Sequence, residues 1–299
     1  MANLRDIRRR IKSVKNTAQI TKAMQMVAAT KMRRAQQVAI TLRPYALKLD
    51  EMASHLYANI SKDQISHPLL QDRKGNGKVC VIIITSDKGL CGPLNTNLLR
   101  DAMKADAPNR VYVSVGRKAR QFLVRMKKNL LADFETKDAP TFAESKTISR
   151  FIFQKYEEGE FDQVEIYYNR FVNTLSQVPS RFALVPVGGE VIAEAKAVGH
   201  SRQSGKSGVV AATDFYNFEP EADELLGKLL THYIHLELYE KILEARASEH
   251  SARMVAMKSA TDNAKQLVKD LTLEYNKARQ AAITNEILEI SSAAATMGQ

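Results

Sequence analysis

The sequence predicts an α/β domain attached to a long antiparallel coiled coil formed by the two ends of the same chain. Three observations carry that reading. A heptad-spaced apolar seam lies near the N-terminus, a longer one lies near the C-terminus, and strand-like and helix-like segments alternate between them.

The first seam runs through Leu4, Ile7, Ile11, Val14, Ala18, Thr21, Gln25, Ala28, Met32, Ala35, Ala39, Leu42, Ala46, Leu49, Ala53, Leu56 and Ile60. Steps of three and four place these side chains on one helix face that meets a partner helix. Gln25 is its one clear polar break. Pro44 lacks a backbone donor, so a kink is expected near Leu42 unless packing there absorbs the lost hydrogen bond.

The middle begins with "KVCVIIITS", a buried strand, followed by "LNTNLLRDAMKA" as a helix, "RVYVSVG" as a strand and "RKARQFLVRMKK" as a helix. After a helical "TISRFIFQKYEEG" come the strand-like "QVEIYYNRF" and "SRFALVPV". Such alternation predicts a small, mostly parallel, Rossmann-like sheet with helices on its faces. The small, polar, glycine-bearing stretch from residue 195 reads as a flexible linker.

The second seam runs through Leu226, Leu229, Tyr233, Leu236, Glu240, Leu243, Ala247, His250, Met254, Met257, Thr261, Ala264, Val268, Leu271, Tyr275 and Ala278. It continues more weakly through Ile283, Ile287 and Ile290. Only Gly227 interrupts the stretch from Ala222 to Met297, so one helix of roughly 75 residues, ~110 Å long, is expected. The N-terminal helix, at roughly 56 residues and ~84 Å, is too short to cover it. The stretch "ITNEILEISSAAATM", charged only at Glu286 and Glu289, is therefore expected to be a rod tip inserted in something else. Alanine and methionine in both seams permit close approach and adaptable packing. His250 has no second ligand at i+3 or i+4 and reads as a packed residue, not a metal ligand. The domain boundaries that follow are 1–60 for the first coiled-coil helix, 75–194 for the α/β domain, 195–217 for the linker and 218–299 for the second coiled-coil helix.

The 299 residues, 44% apolar and 26% charged, suffice for a sizeable core. Cys80 and Cys91 offer neither a disulfide framework nor zinc-ligand spacing. No secretory apolar region is present at the N-terminus, and the longest apolar run, "VCVIII", is far below the ~20 residues of a membrane span. A soluble cytosolic or peripheral protein is expected. The net charge of +11 is concentrated at one end, where residues 1 to 50 carry twelve Lys/Arg against Asp6 and Asp50. This asymmetry calls for an acidic partner, which could be nucleic acid, an anionic membrane surface or an acidic protein.

The turn "TSDKGLCGPLNTN" is the one place in the α/β domain where a phosphate could sit, between a buried strand and a helix N-terminus. It has neither GxGxxG nor GxxxxGK[ST], Pro93 removes a donor, and no acidic residue is placed to read a ribose, so no nucleotide is expected. No nucleophile elbow, HExxH or apolar-set carboxylate pair occurs, and hence no catalytic residue, metal or cofactor is predicted. Glu219, Glu221, Asp223 and Glu224 read as the acidic start of the C-terminal helix, where they meet the positive end of its dipole.

Three blocks go further: "ITKAMQMVAATKMRRAQ", "SDKGLCGPLNTNL", and "ASEHSARMVAMKSATDNAKQLV" with "YNKARQAAITNEILEI". In their order and spacing the chain resembles, over essentially its whole length, the gamma-subunit family of the F-type ATP synthase. The resemblance implies a non-catalytic rotor without cofactors, one copy standing inside a hexamer of alpha and beta subunits. Its α/β foot would rest on the c-subunit ring beside epsilon, coupling proton-driven rotation to ATP synthesis in beta, reversibly. It also implies contacts with beta from Lys22, Met24, Met26, Lys31, Arg33 and Arg34 and from Arg279, Gln280 and Thr284. Phe218 and Glu219 match the surface facing the c ring and epsilon. Pro93 and Ala293 depart from the family pattern, each replacing a glycine. The linker has no cysteine, so the dithiol switch of the chloroplast version is absent, and the lack of a transit segment implies a bacterial protein on the cytoplasmic face of the inner membrane. The alternative is a basic coiled-coil protein that binds nucleic acid through its N-terminal arm; the first 40 residues, however, contain no aromatic to stack on bases.

Overall fold

The computed structural model describes residues 4–59, 69, 77–187 and 222–297. The predicted linker 195–217, and Phe218 and Glu219, lie outside them. The chain divides into two compact units, Met1–Thr30 with Arg253–Gln299, and Lys31–Ala252. Helices α1 (Leu4–Asn59) and α5 (Ala222–Met297) each run through both.

In the first unit the two helices pair antiparallel. Moving from Arg8 to Thr21 on α1 moves the partner back from Tyr275 to Thr261 on α5. Arg8 Nη2 donates to Tyr275 Oη (2.6 Å), with the guanidinium over the same ring, and the two threonine hydroxyls share a hydrogen bond of 2.7 Å. Burial follows the predicted seam: Ile7 and Ala28 of α1 and Met257, Thr261, Ala264 and Leu271 of α5 are buried, while the positions between are mostly exposed. The helix continues as one element through Pro44. Leu42 and Ala46 pack on the core of the second unit and Leu49 is buried within it, and this packing offsets the lost backbone bond.

The second unit is built on a five-stranded sheet in the order β3-β2-β1-β4-β5. Strands β1 (Val79–Ile84), β2 (Arg110–Val115), β3 (Leu130–Phe134) and β4 (Gln163–Phe171) are parallel, and β5 (Gln177–Val185) returns antiparallel to β4. All six residues of β1 are buried, as a central parallel strand requires. Its alternation divides the core: Cys80, Ile82 and Ile84 face α4 (Phe142–Glu157) and α5, while Val79, Val81 and Ile83 face α2 (Leu94–Lys104) and α3 (Arg117–Arg125). A capping box starts α4: Glu144 N–H donates to Thr141 Oγ1 and Thr141 N–H donates back to the Glu144 carboxylate. At the β2–α3 turn Gly116 has φ +104°, and a Cβ there would lie 2.2 Å from the Thr85 carbonyl oxygen, so only glycine fits.

Strand β3 is absent from the sequence reading. Every residue of "LLADF" is only half-buried on this short edge strand, so no alternation marks it. Helix α3 stops at Arg125, three residues short of expectation, because Lys127 turns to φ +52°. Helix α4 and strand β5 both begin a few residues earlier than the sequence suggested.

Candidate functional site

In the first unit the seam residues look inward and the basic and apolar side chains between them look out. Lys22 and Met26 are exposed, Met26 by 63%, along with Ile20 and Val27, while Met24 is half-buried. On α5, Arg279, Gln280 and Thr284 are all exposed, the threonine hydroxyl donating to the Gln280 carbonyl (2.9 Å). From Arg279 to Ala293 no residue is even half-buried, and Ile283, Ile287, Leu288 and Ile290 stand in solvent. Side chains of this size left bare at close helical spacing mark a contact surface for another molecule.

In the second unit Arg33 and Arg34 are exposed, but Lys31 is engaged by the chain itself. Its ammonium lies 2.5 Å from Asp138 Oδ2 in the loop before α4, and that hydrogen bond holds the Asp138 carboxyl below the usual carboxylate range. Sequence reading could not see this neighbour, 107 positions away.

The carboxyl ends of the parallel strands, where α/β folds bind nucleotides, are filled by the chain's own groups. Asn95 Oδ1 accepts from Ser86 N–H (3.2 Å), and its amide nitrogen donates to Ser86 Oγ (2.7 Å) and Cys91 Sγ (3.3 Å). Ala252 of α5 packs on Cys91 and Leu94. Arg246 of α5, only 2% exposed, donates from Nη1 to Glu249 Oε2 (2.7 Å) and from Nη2 to Asp87 Oδ2 (3.1 Å), Thr136 Oγ1 (2.6 Å) and the Thr136 carbonyl (3.1 Å). The turn is thus braced by a guanidinium from the long helix. His250 is packed, as expected, at 1% exposure.

The ATP synthase family model matches residues 3–297. A gamma chain of ATP synthase from Methylacidiphilum infernorum is 52% identical over the whole of both chains, and one from Opitutus terrae is 48% identical over 98% of each. The chain belongs to the ATP synthase gamma-chain family.

Solved structures agree on the fold of this family member. A chain from the central stalk and c-ring structure of the Tetrahymena thermophila mitochondrial ATP synthase, 26% identical, covers 81% of this chain and 99% of its own with a TM-score of 0.57. A chain from the Euglena gracilis mitochondrial enzyme, 20% identical, matches with a TM-score of 0.68 over 98% of this chain and 94% of its own. No helix among the described residues is long and apolar enough to cross a membrane. The Arg246 cluster escaped sequence reasoning, which assigned Arg246 no role. The signal available was "LEARASEHSA", where Arg246 and Glu249 sit three apart among small residues.

Proposed function

We propose that this chain is the central rotor shaft of a bacterial F-type ATP synthase. One copy stands in the hexamer of alpha and beta subunits, and its asymmetric surface drives each beta site through its conformational cycle as proton flow turns the c ring. ATP hydrolysis runs the same motion in reverse. The chain itself catalyses nothing and needs no cofactor; its work is differential contact with the states of beta. It associates with the cytoplasmic face of the inner membrane only through the c ring.

The observation that carries the reading is the end of α5 beyond Arg279, a weakly charged helix bare on every face with four large aliphatic side chains outward. An isolated helix of that length leans on tertiary packing, and a surrounding apolar sleeve supplies it. Arg279, Gln280 and Thr284 would meet loops of beta at its base, and Lys22, Met24, Met26, Lys31, Arg33 and Arg34 would meet the acidic lever segments of beta. The 75–194 foot, with Phe218 and Glu219, would face epsilon and the c ring. Lys31 contributes least to the outward charge, since Asp138 already neutralises it in part.

The test is proton-driven synthesis in reconstituted vesicles carrying Arg33→Glu with Arg34→Glu. The expected outcome is intact assembly with synthesis reduced roughly tenfold, the loss of a few charge pairs at a contact. Synthesis at the wild-type rate removes the electrostatic assignment. Separately, Glu219→Lys is expected to weaken c-ring binding, and unchanged binding removes Glu219 from that surface.

A further inference from the structure

Between Glu237 and Ala252, α5 is held by polar contacts on two opposite sides. Lys241 sits 4.5 Å above the Phe182 ring of β5 and pairs with Glu237 on its own helix (2.9 Å). Glu244 Oε1 accepts from Phe171 N–H at the end of β4 (3.1 Å). Ser248 Oγ donates to the Asn169 carbonyl and Ser251 Oγ to the Thr174 carbonyl, both at 2.8 Å. Taking about 100° per residue, these four positions lie within about 40° of the direction opposite Arg246. On that other side Arg246 reaches Asp87 after β1 and Thr136 after β3, while Asp87 also accepts from Arg117 N–H at the start of α3 (3.0 Å).

We propose that this stretch of α5 is keyed into the sheet domain and that Arg246 is the positioning residue through which rotation of the foot is delivered to the shaft helix. The inference rests on the rotor reading. The apolar driving force is non-directional, so a helix held by it alone resists roll only through the fit of its side chains. Hydrogen bonds are directional, and a guanidinium is a rigid planar fork. Nη1 is fixed to the helix's own Glu249 while Nη2 grips two loops of the sheet domain. A twist about the helix axis therefore has to break charge-assisted bonds on one face and the serine and glutamate bonds on the opposite face together. Lysine, a point charge on a flexible stem, would keep the attraction to Asp87 but lose the fork.

The test uses the hexamer assembled with the full chain and a particle attached to the foot through Val124→Cys, an exposed site on α3, the two native cysteines being buried. The angular variance of the particle is recorded during the pauses of hydrolysis-driven rotation. Arg246→Met is expected to raise the variance roughly twofold, and Arg246→Lys to recover part of it, because directional contacts on one of the two faces are lost. Ile83→Val, a core change on the sheet face that packs on α2 and α3, is the control for destabilisation alone and is expected to leave the variance at the wild-type value. A rotating complex in which Arg246→Met has wild-type variance overturns the inference, as does a rise of equal size in Ile83→Val. If Arg246→Met does not accumulate folded, Asp87→Asn and Thr136→Val carry the test with smaller rises, and wild-type variance in both overturns it. A wild-type chain that never joins the hexamer overturns the rotor reading and this inference together, so the two failures are told apart by the wild-type control.

Discussion

Two stretches of the same helix invert the usual rule of what is buried. From Leu229 to Ala252, α5 buries His235, Glu237, Arg246, Ser248, Glu249, His250 and Ser251 together with its leucines; from Arg279 onward it exposes Ile283, Ile287, Leu288 and Ile290. Polar residues inside and large apolar residues outside are the two observations that carry information, because the converse is ordinary. The first stretch has its partners within its own chain. The second leaves its large apolar side chains exposed, and under the rotor proposal that difference separates the part of the helix that would receive force from the part that would apply it.

The comparison breaks most severely at Arg246. Arg246→Met leaves Glu249 and Asp87 without their cation in a buried site, and a loss of about 3–5 kcal/mol in stability is expected, read as a lowered urea midpoint. A midpoint within error of wild type would mean that the cluster is solvated and that the first stretch is no different from the second.

His235 sharpens the same point through pH. Its ring is hydrogen-bonded to Ser149 Oγ (2.6 Å), and burial, followed by Lys146, His232 and Arg150, pushes its pKa from 6.5 down to about 4. A base whose folded pKa is depressed contributes its full stability above the unfolded pKa. Below pH 6.5 the unfolded chain takes up a proton that the folded chain refuses, so stability falls between about 6.5 and 4. At most about 3 kcal/mol is expected from this group, and His235→Gln should remove that share of the pH dependence. Parallel profiles for the two proteins would place His235 in an open, hydrated setting.

The smallest effect on stability belongs to the second stretch. Ile287→Ala with Ile290→Ala is expected to change the unfolding free energy of the chain by less than about 0.5 kcal/mol. The same pair should weaken binding to the alpha–beta hexamer roughly tenfold or more, since the lost apolar contact lies in the complex. A large loss of stability in the chain alone would show that the tip is packed without its partner.

Legibility in the sequence follows the same division. Each described position of the N-terminal seam is buried or half-buried, because a coiled coil repeats one contact and the repeat is visible in one dimension. Strand β1 was legible because a run of six apolar residues has only a buried strand to occupy. The edge strand β3, with its uniformly half-buried side chains, carried no such mark. The contacts of Arg246 with Asp87 and of Lys31 with Asp138 join residues 159 and 107 positions apart, and no local pattern encodes them. The exposed tip was anticipated from the unequal lengths of the two helices and the scarcity of charge after Thr284, a shortage that shows in sequence because it is compositional.

The most direct measurement of the central claim is co-expression of this chain with alpha and beta subunits from the same organism, followed by size-exclusion chromatography and single-molecule imaging of a particle on the foot during ATP hydrolysis. The account predicts one copy per hexamer and stepwise rotation in one direction. A chain that stays out of the hexamer and instead binds nucleic acid with an affinity that falls steeply with salt would contradict it.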